Sequence, residues 1–199
     1  MSMCKIFCIT NRHLVEGDFL RQLEKIVKAG VSGIILREKD LPEPEYEELA
    51  GQVWTICRQY GVSLMLHTFI DAARRLGNRS IHLPYPVFHA MEPEDKAWFE
   101  TVGVSIHSVW EAENAWQAGA SYLSAGHIYA TDCKKDLPPR GIPFLSEVCR
   151  LVRIPVYAVG GIHPRNAKSC IEAGAEGVCL MSPLMKIKDP EKYLKDFIG

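Results

Sequence analysis

Long hydrophobic runs and an excess of either charge are both missing from this chain of 199 residues. No segment approaches the roughly 20 consecutive apolar residues that a membrane-spanning helix needs. The 23 Lys and Arg residues nearly balance the 24 Asp and Glu residues, which gives a formal net charge of −1. A nearly neutral chain has no broad field that would favour nucleic acid or an acidic membrane. We therefore expect neither partner, and any anion binding should be local.

Paired cysteines are missing as well. The seven cysteines are an odd number, and none of them shows the C-x-x-C spacing of structural zinc sites. Residues 1–10 contain too short an apolar run for a secretory signal peptide. We expect reduced thiols and a cytoplasmic protein.

No Pro/Gly/Ser-rich linker interrupts the chain, and 47% of its residues are hydrophobic. This length and composition suit one domain over residues 1–199. Within it, short apolar runs alternate with longer segments of helical period. The predicted strands are Lys5–Thr10, Gly33–Arg37, Ser63–His67, Ser80–Leu83, Gly103–Ile106, Tyr122–Ala125, Val156–Val159 and Gly177–Met181. The predicted helices are Asp18–Ala29, Glu43–Tyr60, Phe69–Leu76, Glu92–Phe99, Val109–Gln117, Phe144–Leu151, Pro164–Ala173 and Pro183–Phe197.

Eight repeated strand-helix units in one domain predict an α/β fold, a (β/α)₈ TIM barrel. The alternative is an open doubly wound sheet. The first strand, however, is not followed by the G-x-G-x-x-G that a dinucleotide site of that fold requires. The barrel is therefore favoured, and its site should lie just after the strands.

Small residues follow the seventh and eighth predicted strands, where barrels often bind phosphate. Gly160 and Gly161 allow close approach of the backbone to an anion. Met181 and Ser182 precede Pro183, which would begin a helix whose amide groups face the same place. We predict that these residues bind a substrate phosphate, although both glycines could simply serve tight turns.

His127 follows Gly126 at the end of the sixth predicted strand. A neutral imidazole there could take a proton from one atom and return it to another, which makes His127 the candidate catalytic residue. A lone loop histidine is also commonly a solvated surface group. The other six histidines are weaker candidates.

Arg37 and Lys39 alternate with Glu38, so both cations should point to one side, towards the barrel interior or mouth. They could bind a substrate carboxylate, or they could pair with neighbouring acids. Lys134 lies in a polar loop that could close over a substrate or simply be solvated. Ser105, near the end of the fifth predicted strand, is a further candidate for a substrate contact.

Three segments resemble the thiamine phosphate synthase/TenI superfamily: Leu36–Lys39, Gly126–Lys135 and Ala158–Ile162. The resemblance covers essentially the whole chain. The Gly-His followed by Thr-Asp-Cys-Lys-Lys resembles the TenI branch, the thiazole tautomerases, since the synthases typically carry proline after that glycine.

The synthases of this superfamily hold a diphosphate and its magnesium with a glutamine before Arg-x-Lys, an Asn-Asp pair after strand 3 and an acid after strand 4. Here those places hold Ile35, His67-Thr68 and, in Pro84–Val87, no acid. Magnesium prefers hard oxygen ligands. The resemblance therefore implies no metal and no cofactor.

Taken together, the resemblance implies an isomerase, a thiazole tautomerase of thiamine biosynthesis that acts on a small thiazole phosphate through His127. Arg37 and Lys134 are then the candidates for contact with the substrate carboxylate. A homodimer is possible. Three alternatives stay open: a divergent thiamine phosphate synthase, a non-catalytic regulatory or ligand-binding protein, and an unrelated barrel isomerase acting on another phosphate.

Overall fold

The computed structural model describes residues 4–131 and 137–197. Eight parallel strands close into a barrel in chain order, with the first strand paired to both the second and the eighth. This confirms the predicted (β/α)₈ barrel. The strands are β1 (Lys5–Ile9), β2 (Gly33–Leu36), β3 (Ser63–His67), β4 (Ser80–Pro84), β5 (Thr101–Ile106), β6 (Tyr122–Gly126), β7 (Val156–Val159) and β8 (Gly177–Leu180).

Helices cover the outside of the barrel. The α-helices of the described residues are α1 (Phe19–Lys28), α2 (Glu43–Gln59), α3 (Ile70–Leu76), α4 (Tyr85–Ala90), α5 (Pro93–Trp98), α6 (Val109–Gln117), α7 (Gly141–Leu151), α8 (Pro164–Glu172), α9 (Ser182–Lys186) and α10 (Pro190–Lys195). Asp18 caps α1 as its sequence position suggests, because its carboxylate accepts a hydrogen bond from the Arg21 amide at 2.6 Å. The sequence analysis did not anticipate α4 or the short 3₁₀ turn Arg12–Leu14.

The last predicted helix, Pro183–Phe197, is wrong. It is divided into α9 and α10 by an extended stretch that begins at Ile187. Pro190 explains the break, since proline has no amide hydrogen and clashes with the preceding turn of a helix. Asp189 then caps α10 by accepting a hydrogen bond from the Lys192 amide at 3.0 Å.

An aromatic cluster fills the barrel interior. Phe7 stacks on Tyr157 with ring centroids 4.4 Å apart, and Tyr122 meets Phe7 edge-on at 5.5 Å. A larger apolar layer packs between the strands and the helices. The packed interior leaves room for a ligand only at the carboxyl ends of the strands.

Two further observations concern membrane-spanning helices and cysteines. Within residues 4–131 and 137–197, no helix is both long enough and apolar enough to cross a bilayer. The six cysteines in those ranges are free thiols, and Cys133 lies outside them.

Candidate functional site

A cavity of about 1340 Å³ opens at the carboxyl ends of the strands. All eight strands, or the residues directly after them, contribute to its lining. Among the described residues, the permanently charged side chains that line it are Arg37, Lys39 and Lys186, and no Asp or Glu does so. A concave site with only positive side chains favours an anionic ligand.

The end of β7 is closely packed against the segment after β6. Gly160 and Gly161 have φ angles of +97° and +65°, which side chains rarely tolerate. A Cβ on Gly160 would lie 2.3 Å from the Cβ of His127, and one on Gly161 would lie 2.4 Å from the carbonyl oxygen of Ala130. Only glycine fits at either position.

The carbonyl groups of these glycines are already engaged. The Gly160 oxygen accepts a hydrogen bond from the Tyr129 amide at 3.0 Å, and the Gly161 oxygen accepts one from Asn166 Nδ2 at 3.0 Å. Within the described part of the chain, the amide groups of the two glycines donate to no other residue. These amide groups are therefore suited to an anion in the cavity.

Met181 and Ser182 border the same region after β8. We call Gly160, Gly161, Met181 and Ser182 the glycine wall. The helix that begins here, α9, has only five residues. We therefore base phosphate binding at this wall mainly on the glycine backbone and on nearby polar groups.

Arg37 and Lys39 line the opposite part of the cavity, at the end of β2. Glu38, between them, points away and is buried. Its carboxylate accepts hydrogen bonds from the Thr10 hydroxyl at 2.7 Å and from the backbone amide and guanidinium of Arg12 at 3.0 and 3.2 Å. Glu38 therefore stabilises the strand ends and leaves both cations facing the cavity.

Two buried histidines form the floor of the cavity next to these cations. Burial lowers the pKa of His67 to about 2 and that of His82 to about 3. For His67, electrostatic interaction with His82, Lys39 and Arg37 lowers the pKa further. Both imidazoles are therefore neutral at physiological pH. We call Arg37, Lys39 and His67 the cation wall.

His82 belongs to a hydrogen-bond network. Its Nδ1 lies 2.9 Å from the Tyr122 hydroxyl and its Nε2 lies 2.7 Å from Ser105 Oγ, which is 3.0 Å from Ser124 Oγ. Sequence reasoning selected Ser105 but passed over both floor histidines. Strand alternation could have found His67, since it lies two residues after the inward-facing Met65.

His127 lines the cavity and is buried. Its Nε2 lies 3.2 Å from the carbonyl oxygen of Leu137, and its own carbonyl accepts a hydrogen bond from the Arg140 amide at 2.9 Å. Both contacts tie the two sides of the β6–α7 connection together. A catalytic role for His127 stays a prediction, and Lys134 lies outside the described residues.

Comparison with known proteins shows the family of this chain. The family model described as thiamine monophosphate synthase matches residues 6–184. The chain belongs to this family. A thiamine-phosphate synthase from Syntrophomonas wolfei is 34% identical over 193 residues, which cover 94% of this chain and 90% of the relative.

Two further members of the thiamine monophosphate synthase family are similar over almost their whole length. A putative thiamine-phosphate synthase 2 from Aquifex aeolicus is 33% identical over 94% of this chain and 100% of its own. The solved structure of a thiamine phosphate pyrophosphorylase from Pyrococcus furiosus superposes with a TM-score of 0.85 at 27% identity, covering 98% of this chain and 94% of the other. These relatives are named as enzymes.

The predicted thiazole tautomerase, an isomerase, is contradicted by these relatives, which are named thiamine-phosphate synthases. That prediction depended on a short motif around His127. In the structure the imidazole of His127 contacts the Leu137 carbonyl. The whole-chain similarity outweighs that short motif.

The synthase branch implies a magnesium ion, and the residues present do not fit one. The expected oxygen ligands after β3 and β4 are replaced by His67, Thr68 and Pro84. The nearest buried carboxylate, Glu38, is occupied by Thr10 and Arg12. Within the described ranges no group of three or more His, Cys, Asp or Glu side chains could hold a metal ion. Magnesium prefers carboxylate oxygen ligands, and no described residue that lines the cavity provides one.

Proposed function

We propose that this protein is a thiamine-phosphate synthase of divergent site composition, which joins a pyrimidine diphosphate to a thiazole phosphate. The observation that carries the proposal is the cavity whose permanently charged side chains, in the described residues, are all cations. Both proposed substrates are anions, and the named relatives over the full chain are thiamine-phosphate synthases.

The phosphate of the thiazole substrate would bind at the glycine wall. The amide groups of Gly160 and Gly161 provide fixed donors, and the missing Cβ atoms let the phosphate approach the backbone. Ser182 adds a hydroxyl at the cavity surface, Met181 borders it, and Lys186 adds a positive charge. A phosphate held at this wall fixes the position of the thiazole ring.

The diphosphate would bind at the cation wall. In the reaction, the thiazole nitrogen forms a C–N bond with the methylene carbon of the pyrimidine, the C–O bond breaks, and the diphosphate leaves with its electron pair. Arg37 and Lys39 stabilise the charge that develops on the leaving group. Ser105 contacts the ring between the two anions, and His127 lines the same cavity. Lys134 stays a candidate for a substrate contact.

The test is product formation from the two substrates, followed by chromatography of thiamine phosphate, with wild type and the variant Arg37→Ala. We expect product with wild type and a loss of roughly a hundredfold with the variant, because a charged contact to the leaving group is removed. No product from a folded wild-type protein that binds both substrates would overturn the proposal.

A second candidate, a ligand-binding protein without turnover, is favoured by one observation: among the described residues, no carboxylate lines the cavity. Such a protein would bind thiazole phosphate but yield no thiamine phosphate in this assay. The single domain over residues 1–199, the cytoplasmic location and the homodimer stay predictions.

A further inference from the structure

His67 of the cation wall is followed by Thr68, and neither side chain is a carboxylate or an amide of the kind that binds magnesium. Thr68 has a φ of +74°, an unusual conformation for a β-branched residue. This conformation brings its Oγ1 to 2.7 Å from His67 Nδ1. The strained residue thus contacts one specific nitrogen of the buried imidazole.

The backbone at this point is held by a residue outside the barrel. The amide of His67 donates to the Tyr46 hydroxyl at 2.9 Å, and that hydroxyl donates to the Leu36 carbonyl at 2.7 Å. Tyr46 therefore joins the ends of β2 and β3. The backbones of His67 and of Arg37, the residue after Leu36, are therefore held next to each other.

The other ring nitrogen, His67 Nε2, has no hydrogen-bond partner within residues 4–131 and 137–197, and its ring lines the cavity. A neutral imidazole carries one proton. If the Thr68 hydroxyl donates to Nδ1, that proton is on Nε2 and points to where Arg37 and Lys39 attract an anion. A third donor is thereby added to the two cations.

We propose that the cation wall is a metal-independent anion subsite, in which Arg37 and Lys39 supply charge and neutral His67 donates its Nε2–H to a phosphate oxygen. The inference deepens the proposed function, on which it rests for identifying the anion as the diphosphate. It assigns His67 a role in anion binding. The synthases have at this position the Asn-Asp pair that holds the diphosphate and its magnesium.

Histidine NMR tests the subsite without any turnover. The probe is inorganic phosphate, added to protein labelled with ¹⁵N-histidine in EDTA and, separately, in magnesium chloride, with His67 assigned from the variant His67→Gln. We expect the Nε2–H tautomer of His67 from pH 5.5 to 8.5, and phosphate-dependent shifts with the same midpoint in both solutions. Exposed His89, which does not line the cavity, is the internal control and should not shift.

Three outcomes would overturn the proposal: titration of His67 within that pH range, shifts that appear only with magnesium, or no shift at all. Two variants add an affinity test, read from the Arg37 side-chain Nε signal of protein labelled with ¹⁵N-arginine. His67→Leu should weaken phosphate binding about tenfold. His67→Gln should retain binding within about threefold, since its amide can donate in place of Nε2. Equal affinities of both variants and wild type would also refute the role. Failure of the synthase assay with these shifts intact would refute the proposed function alone.

Discussion

The two walls of the cavity recognise anions by different means. The glycine wall, Gly160, Gly161, Met181 and Ser182, depends mainly on backbone geometry and on side chains that are absent. The cation wall, Arg37, Lys39 and His67, depends on side chains. Anion binding by backbone amides tolerates substitution of neighbouring side chains but not an added Cβ. Anion binding by side chains changes with each substitution of those side chains. The departures from the synthase pattern, at Ile35 and His67-Thr68, lie in and beside the cation wall.

The largest expected effect is at the glycine wall. Gly161→Ala should lower the affinity for thiazole phosphate by about a hundredfold, since its Cβ meets the Ala130 carbonyl and displaces the wall. Gly61→Ala is a matched control, because Gly61 has a similar φ of +66° but nothing within 4 Å of the added Cβ. Both variants should lose about 1 kcal/mol of unfolding free energy from the left-handed backbone, and Gly161→Ala should lose more because of the clash with the Ala130 carbonyl. Calorimetric titration and urea unfolding measure the two quantities, and equal affinities of the two variants would remove this wall from the phosphate site.

At the cation wall, Arg37→Ala should weaken binding of inorganic phosphate to that wall by roughly tenfold to a hundredfold, as expected for a lost charged hydrogen bond. The shift of the His67 imidazole signal reports this binding. Arg58→Ala is the control, since Arg58 stacks on Trp54 outside the barrel at 4.8 Å and does not line the cavity. A similar affinity for both variants would show that Arg37 does not contact the anion.

The buried histidines of the floor predict how stability depends on pH. Their folded pKa values, about 2 for His67 and about 3 for His82, lie below the ordinary value of 6.5. Above that value both states are neutral and nothing changes. As the pH falls below 6.5 the unfolded chain binds protons that the folded one does not, so stability decreases by up to about 1.4 kcal/mol per pH unit for each histidine.

Urea unfolding of wild type and His67→Gln at pH 7.5 and 5.5 checks this dependence. The variant should lose less stability between the two pH values, because only one floor histidine then resists protonation. An equal loss in both proteins would mean that His67 is protonated in the fold. The cation wall would then carry a third positive charge, which sharpens the contrast with the uncharged glycine wall.

The smallest effect is expected at Lys186, which is exposed at the edge of the cavity. Lys186→Gln should weaken thiazole phosphate binding about threefold at low salt and have no effect at high salt, because exposed charges are screened. Lys188→Gln is the control, since Lys188 is also exposed and does not line the cavity. A large effect that persists in high salt would make Lys186 part of the glycine wall.

Much of the fold was readable in the sequence, because buried parallel strands are apolar on both faces and each is followed by a helical period. The barrel and the ends of β3 and β7 are as predicted. The division of α9 from α10 was missed, since the apolar period of the segment continues across Pro190.

The site was harder to read because it depends on contacts between strands that are distant in sequence. The positions of Arg37 and Lys39 followed from alternation, but the turning of Glu38 towards Arg12 did not. His67 and His82 resemble ordinary core histidines when each strand is considered alone. Their shared place beside the cations arises only when β2, β3 and β4 are joined side by side.

The Tyr46 hydroxyl bears on how such barrels can be rearranged. Strand-helix units are natural pieces for exchange between related barrels, with each outer helix treated as packing material. Here the Tyr46 hydroxyl on α2 accepts a hydrogen bond from the His67 amide and donates one to the Leu36 carbonyl. These two hydrogen bonds connect β2, α2 and β3. A chimaera that takes β3 from this protein must also take α2, or His67 arrives without the contact that orients it.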